Sequence, residues 1–155
     1  MLIKPGKQQR GFSLVEVLIA LIIMSVGMLG IATLFVQSMQ AGRTSMFRHH
    51  AVTMAGDVAD RIRANPRAGI AYAGLGADNG CVGTGNDCNE AAMAANDIFL
   101  WDAQAAESLP NGTVTVTYND VVAPPEYTIR IDWDEPGEDP NAPLNYTITI
   151  PVLGF

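Results

Sequence analysis

Residues 12–36 are apolar apart from a single ionisable side chain, Glu16. At about 1.5 Å per residue a helix of this length crosses a hydrocarbon core of roughly 30 Å. A carboxylate placed there is unfavourable by up to a few kcal/mol unless it meets a positive partner or takes up a proton. Any fold for this chain must therefore house a membrane-length helix and account for one acid near its start.

The flanks set the orientation. Lys4, Lys7 and Arg10 precede the apolar stretch, and no acidic residue occurs among the first fifteen. The positive-inside rule puts the N-terminus in the cytoplasm and the bulk of the chain on the exported side of an inner-membrane-type bilayer. An ordinary secretory signal would have an apolar core of roughly 7–15 residues and a small-x-small cleavage site. Here the core is longer, and Met39 occupies the small-residue position before Ala41. A plain uncleaved anchor accounts for length and orientation but not for Glu16 or for the Gly11-Phe12 junction ahead of it.

The helical pattern continues past the apolar stretch. Phe47, Ala51, Met54, Val58 and Ile62 recur at three- and four-residue spacing, and Asp57 and Arg61 form an i,i+4 pair on another face. Asn65-Pro66 ends the pattern. Residues 37–66 thus read as an amphipathic continuation of one helix, about 75–80 Å long in all. Gly27, Gly30, Gly42 and Gly56 are its weak points. Ser13, Glu16, Ala20 and Gly27 lie near one side and give the apolar half a small, polar stripe suited to close helix packing.

From Ala68 to Asn89 the abundance of Gly and Asn predicts a loop. Cys81 and Cys88 fall in this exported segment, where an oxidising compartment favours a disulfide. Their spacing is not Cys-x-x-Cys, and no His lies nearby to complete a zinc site. Asp87-Cys88-Asn89-Glu90 reads as a capping box that opens a second helix through about Ser108, with Ile98, Trp101 and Ala105 on its buried side. The last third alternates with period two. Val114, Val116 and Tyr118 form one apolar set, Tyr127, Ile129, Ile131 and Trp133 a second, and Leu144, Tyr146, Ile148, Ile150 and Val152 a third. Three strands with one apolar face each predict an antiparallel sheet covered on one side by the amphipathic half of the long helix. The expected class is α+β, with residues 67–155 as the head domain.

Charge and composition narrow the function. The chain has 155 residues and a formal net charge of −7, and after Ala68 its only basic residue is Arg130. An acidic exported part of this kind is not a basic-patch nucleic-acid binder. Arg43, Arg48, Arg61, Arg63 and Arg67 lie on or beside the long helix, where solvated helix charges are the usual outcome. His49 and His50 are adjacent and point in different directions, which disfavours a shared metal. The run from Asp132 to Asp139 starts like a calcium loop, but Pro136 replaces an oxygen ligand and the twelfth position is Pro143, so an EF-hand is excluded. No nucleophile with a base, no phosphate loop and no His/carboxylate cluster is legible, so the reading is a non-enzyme without cofactor or metal.

The basic leader, Gly11, Phe12, Ser13 and Leu14-Val15-Glu16-Val17-Leu18-Ile19-Ala20 resemble the class III leader of type IV prepilins and type II secretion pseudopilins. The resemblance implies a leader of residues 1–11, cleavage by a prepilin peptidase between Gly11 and Phe12, N-methylation of Phe12, and Glu16 as an assembly residue. It implies a pilin-like fold, a long N-terminal helix packed on a small antiparallel sheet. Met54 to Pro66 and the short Cys81–Cys88 loop are most similar to minor pilins of the PilV type. That likeness implies a part in priming pilus assembly at the inner membrane and a place near the fibre tip. Its partners would be other minor pilins and pilin subunits met through the N-terminal helix, and a tip adhesin, with motility and adhesion following from the fibre. Two alternatives stay open: a minor pseudopilin of a type II secretion system, and a single-span anchored periplasmic binding module.

Overall fold

The computed structural model describes residues 11–83, 86–135 and 143–152. The leader cations Lys4, Lys7 and Arg10, and residues 136–139 of the acidic run, lie outside the described residues. The chain divides into two compact units, Met1–Gly42 and Arg43–Phe155, and helix α1, Leu14–Ala64, supplies residues to both. In the first unit every described residue is exposed, including the large apolar side chains from Phe12 to Met39. Gly27, Gly30 and Gly42, expected as weak points, are helical, as is Gly56.

The second unit is built around the amphipathic stripe. Ala51, Met54, Val58 and Ile62 are buried as their spacing predicts, with Ala55 and Ala59 beside them and Phe47 half-buried. Ala51, Ala55 and Ala59, at four-residue intervals, make this buried face a narrow, small-residue stripe. The sheet has the order β1-β2-β3, from β1 (Thr113–Asn119), β2 (Glu126–Trp133) and β3 (Leu144–Pro151), with both pairs antiparallel. Its register aligns Val116 with Ile129 and Ile148 on the core face, and Thr117 with Thr128 and Thr149 on the other. The central strand buries Tyr127, Ile129, Ile131 and Trp133, whereas both outer strands bury less, because only β2 has a neighbour on each side.

The segment after α1 departs from the expected loop. Pro66–Ala73 winds into a 3-10 helix, started by the fixed φ of Pro66. Gly69 interrupts it at φ 51°, ψ −131°, a conformation glycine adopts without strain, and its carbonyl accepts a 2.8 Å hydrogen bond from the Tyr127 hydroxyl. The turn drives Tyr72 into the core, where its ring stacks on Trp101 at 5.7 Å and meets Tyr127 edge-on at 6.3 Å.

Helix α2, Glu90–Ser108, buries Ile98, Trp101 and Ala105 as expected. Its N-cap is Asn89, not the predicted Asp87. The Asn89 carboxamide oxygen accepts from the Ala92 N–H at 2.8 Å, which closes the first turn two residues later than a box built on Asp87. The same helix buries two polar side chains, Asn96 and Asp97. Asp97 is 3% exposed. It accepts from Arg61 Nη1 at 3.0 Å and from the Tyr72 hydroxyl at 3.0 Å, so α1, the 3-10 helix and α2 meet on one carboxylate. Arg61 also contacts Asp57 at 3.4 Å, the i,i+4 pair expected from the sequence. Asn65 reinforces the junction by donating to the Glu90 carbonyl at 2.9 Å.

Burial pushes the Tyr72 hydroxyl pKa above its ordinary 10.0; the Asn65 hydrogen bond opposes the rise and the charge of Asp97 adds to it. Burial, and then Tyr118, raises Tyr127 as well. The folded chain therefore holds these protons at a pH where the unfolded chain has lost them. Their contribution is complete below pH 10.0 and is lost as pH rises beyond it. Melting temperatures measured across alkaline pH are expected to fall above pH 10, and Tyr72→Phe is expected to flatten the fall. An equal slope in the variant would remove Tyr72 as the cause.

Candidate functional site

The residues singled out at the N-terminus are arranged by the start of α1. Gly11, Phe12 and Ser13 precede the helix and are exposed. The Ser13 hydroxyl accepts from the Val15 N–H at 3.3 Å, and its carbonyl accepts from the Val17 N–H at 3.2 Å. Ser13 is thus the N-cap, and the helix begins at Leu14 where the apolar pattern suggested Phe12. The Gly11-Phe12 peptide consequently lies outside helical hydrogen bonding. The sequence signal for this was Ser13-x-x-Glu16, which has the capping-box form.

Glu16 falls in the first turn of α1. A negative side chain there is favoured by the unsatisfied N–H groups of the helix start, by about 0.3–1 kcal/mol. That is too little to offset burial of a carboxylate in lipid. Among the described residues Glu16 has no ion-pair partner, and it stands exposed within the apolar surface. The helix is long and apolar enough to cross a membrane, and its most apolar stretch is not covered by any of the described residues.

The other residues drawn from the sequence belong to the second unit. Cys81 and Cys88 are joined in a disulfide with their Cα atoms 5.7 Å apart. Beside it the buried Asn96 accepts from the backbone N–H groups of Asn79 at 3.1 Å and Cys81 at 3.3 Å, so the cysteine loop is fastened to α2. Asn96 carried no sequence signal beyond its neighbours on an apolar helix face. His49 and His50 are exposed, with ring centroids 6.4 Å apart.

The described carboxylates of the acidic run turn to separate partners. Asp132 takes both Nε and Nη2 of Arg130, at 2.9 and 2.6 Å. Asp134 accepts from Asn111 at 2.8 Å, and Glu135 accepts from the Thr44 hydroxyl at 2.8 Å. Among the described residues no group of three or more His, Cys, Asp or Glu side chains is placed to hold a metal.

Two family models match the chain, and together they run through the site and the two helices. The prokaryotic N-terminal methylation motif matches residues 6–32, which include Gly11, Phe12 and Glu16. The type IV pilin Tt1218 model matches residues 33–99, from the apolar half of α1 into α2. This chain is a type IV pilin-like protein. Searches of curated proteins and of solved structures gave no match. For a type IV pilin-like protein the motif and the exposed apolar helix fit membrane anchoring, and the sheet beyond residue 99 completes the α+β head. The family is a structural one, in keeping with a site made of a junction, a cap and one acid.

The Cys81–Cys88 disulfide closes a short loop of this pilin-like chain. Replacing both Cys81 and Cys88 by Ser is expected to lower stability by about 2.5 kcal/mol on loop entropy. Thermal or urea unfolding of the chain checks this. An unchanged midpoint would show that the Asn96 hydrogen bonds hold the loop unaided.

Proposed function

We propose that this chain is a minor pilin of a type IV pilus, of the PilV kind, that helps prime assembly at the inner membrane and takes a place near the fibre tip. In this reading a prepilin peptidase cuts between Gly11 and Phe12 and the new Phe12 terminus is N-methylated. The observation that carries it is Glu16, a lone acid in an exposed apolar helix, without an ion-pair partner among the described residues and four residues after a junction that lies ahead of the helix. Cleavage creates the missing cation, the α-amine of Phe12, on the same subunit or on the next one. Pairing between subunits then fixes their axial register, as buried polar groups do in coiled coils.

The absence of proline from residues 12–65 supports a minor subunit over a major one, since many major pilins kink this helix with proline. Other minor pilins, pilin subunits and a tip adhesin are the partners, with twitching motility and adhesion as consequences of the fibre. A minor pseudopilin of a type II secretion system uses the same N-terminal chemistry. Adjacent genes for minor pilins and a large adhesin favour the pilus, and secretion genes favour the pseudopilus.

Mass spectrometry of the membrane-extracted chain is expected to find Phe12 at the mature N-terminus, in methylated form. Glu16→Ala is expected to be processed normally and to enter fibres about ten-fold less, the effect of removing one member of a charge pair from apolar surroundings. A mature chain that begins anywhere else would falsify the pilin reading. Undiminished entry of the Glu16→Ala chain would remove the register role.

A further inference from the structure

Past its apolar stretch, α1 carries cations before it carries any acid. Between Glu16 and Asp57 the ionisable residues are Arg43, Arg48, His49 and His50, and all four are exposed. Neither arginine has an ion-pair partner among the described residues. Glu135 reaches the same turn, but it accepts from the Thr44 hydroxyl at 2.8 Å and lies 3.5 Å from the Trp133 indole nitrogen. The later arginines of α1 are answered, Arg61 by Asp57 and Asp97 and Arg63 by Asp60.

The four side chains spread round the helix instead of sharing a face. At about 100° per residue, Arg48, His49 and His50 stand about 140°, 240° and 340° from Arg43. Thr44, Phe47 and Ala51, which face the head, fall at about 40–100° on the same scale, so the two arginines flank that seam. A protein partner meets one side of a helix, whereas a lipid surface surrounds it, and cations on every open side suit the second. Along the axis, Arg43 lies about 10 Å and Arg48 about 18 Å beyond Val36. A headgroup layer of about 5–8 Å covers each side of the hydrocarbon core. Helix side chains lean toward the N-terminus, here toward the lipid. Arg43 therefore reaches the headgroups, and Arg48 comes within about one Debye length, ~8 Å, of them. Cations this close to the exported end of a span oppose the positive-inside rule, so a negative partner is needed to favour them there.

We propose that Arg43 and Arg48, with His49 and His50 completing the ring, bind the phosphates of anionic phospholipid at the exported face of the inner membrane. A guanidinium suits this partner, since its planar fork pairs with a phosphate through two parallel hydrogen bonds. An anionic surface favours each such residue by a factor of about five, and the attraction fades within a Debye length. The proposal rests on the reading of α1 as a membrane anchor with its head exported, and it names a contact that neither processing nor Glu16 supplies.

The test uses the full-length chain reconstituted in vesicles of equal parts phosphatidylcholine and phosphatidylglycerol, with spin-labelled forms of each lipid reporting by EPR how strongly the protein surface retains it. The chain is expected to retain phosphatidylglycerol over phosphatidylcholine. Arg43→Gln/Arg48→Gln changes only exposed side chains and is expected to cut that preference about five-fold or more. Arg63→Gln/Arg67→Gln removes the same charge near the other end of α1 and is expected to leave the preference unchanged. The leader cations are common to all three chains and do not enter the comparison. Equal losses in the two variants would overturn the collar, because they would report net charge alone. No loss in either would overturn it too, and leave an acidic protein face as the partner of these arginines. Failure of all three chains to immobilise either lipid would overturn the anchor reading and the collar with it.

Discussion

One carboxylate without a counter-charge is the constraint around which this chain is organised. Glu16 sits in the first turn of a helix whose next twenty residues are apolar and uncovered. The helix start offers it less than the energy needed to leave water. A cation must come from elsewhere, and in the proposed function it comes from cleavage at the adjacent Gly11-Phe12 junction, which the Ser13 cap leaves outside the helix. We propose that the functional chemistry is a covalent change that turns a charge unfavourable in lipid into half of an ion pair.

The second unit solves a different problem, that of holding a small head onto one helix face. Three strands bury a single apolar face in one core with the stripe of α1 that carries Ala51, Ala55 and Ala59. Apolar burial is non-directional, so it does not by itself fix the angle at which α1, the 3-10 helix and α2 meet. The carboxylate of Asp97 does so, since Arg61 and Tyr72 reach it from two elements at 3.0 Å each. Thr44 bonded to Glu135 adds a tie between α1 and the end of β2. The acid of the second unit is thus answered inside the chain, and the proposal has the acid of the first answered after processing.

Much of this was legible because it depends on periodicity. The stripe from Ala51 to Ile62 and the three alternating strands are local patterns, and the structure places their apolar sides in one core. Asp97 was not legible as a junction, since its partners lie 36 and 25 residues away and pairing at that distance is set by the tertiary fold. A weaker sign was present: Asp97 is three residues after Ala94 and four before Trp101, on the buried stripe of α2. Tyr72 was hidden in a Gly-rich segment whose composition predicts a loop, although Pro66 and a positive-φ Gly69 fold it into a turn. The N-cap moved from Asp87 to Asn89 because two side chains of similar capping strength compete within three residues. At the N-terminus the decisive features were all sequence features, and the structure added the Ser13 cap and the exposure of Glu16.

The central claim is that Phe12 and Glu16 become partners once the leader is removed. Solid-state NMR on the processed chain, assembled in lipid with its fibre subunits, tests it most directly, using ¹⁵N at the Phe12 α-amine and ¹³C at the Glu16 carboxyl. The account predicts dipolar transfer between the two, corresponding to a separation of about 4 Å or less. Absence of transfer in a chain whose mature terminus is Phe12 would contradict it.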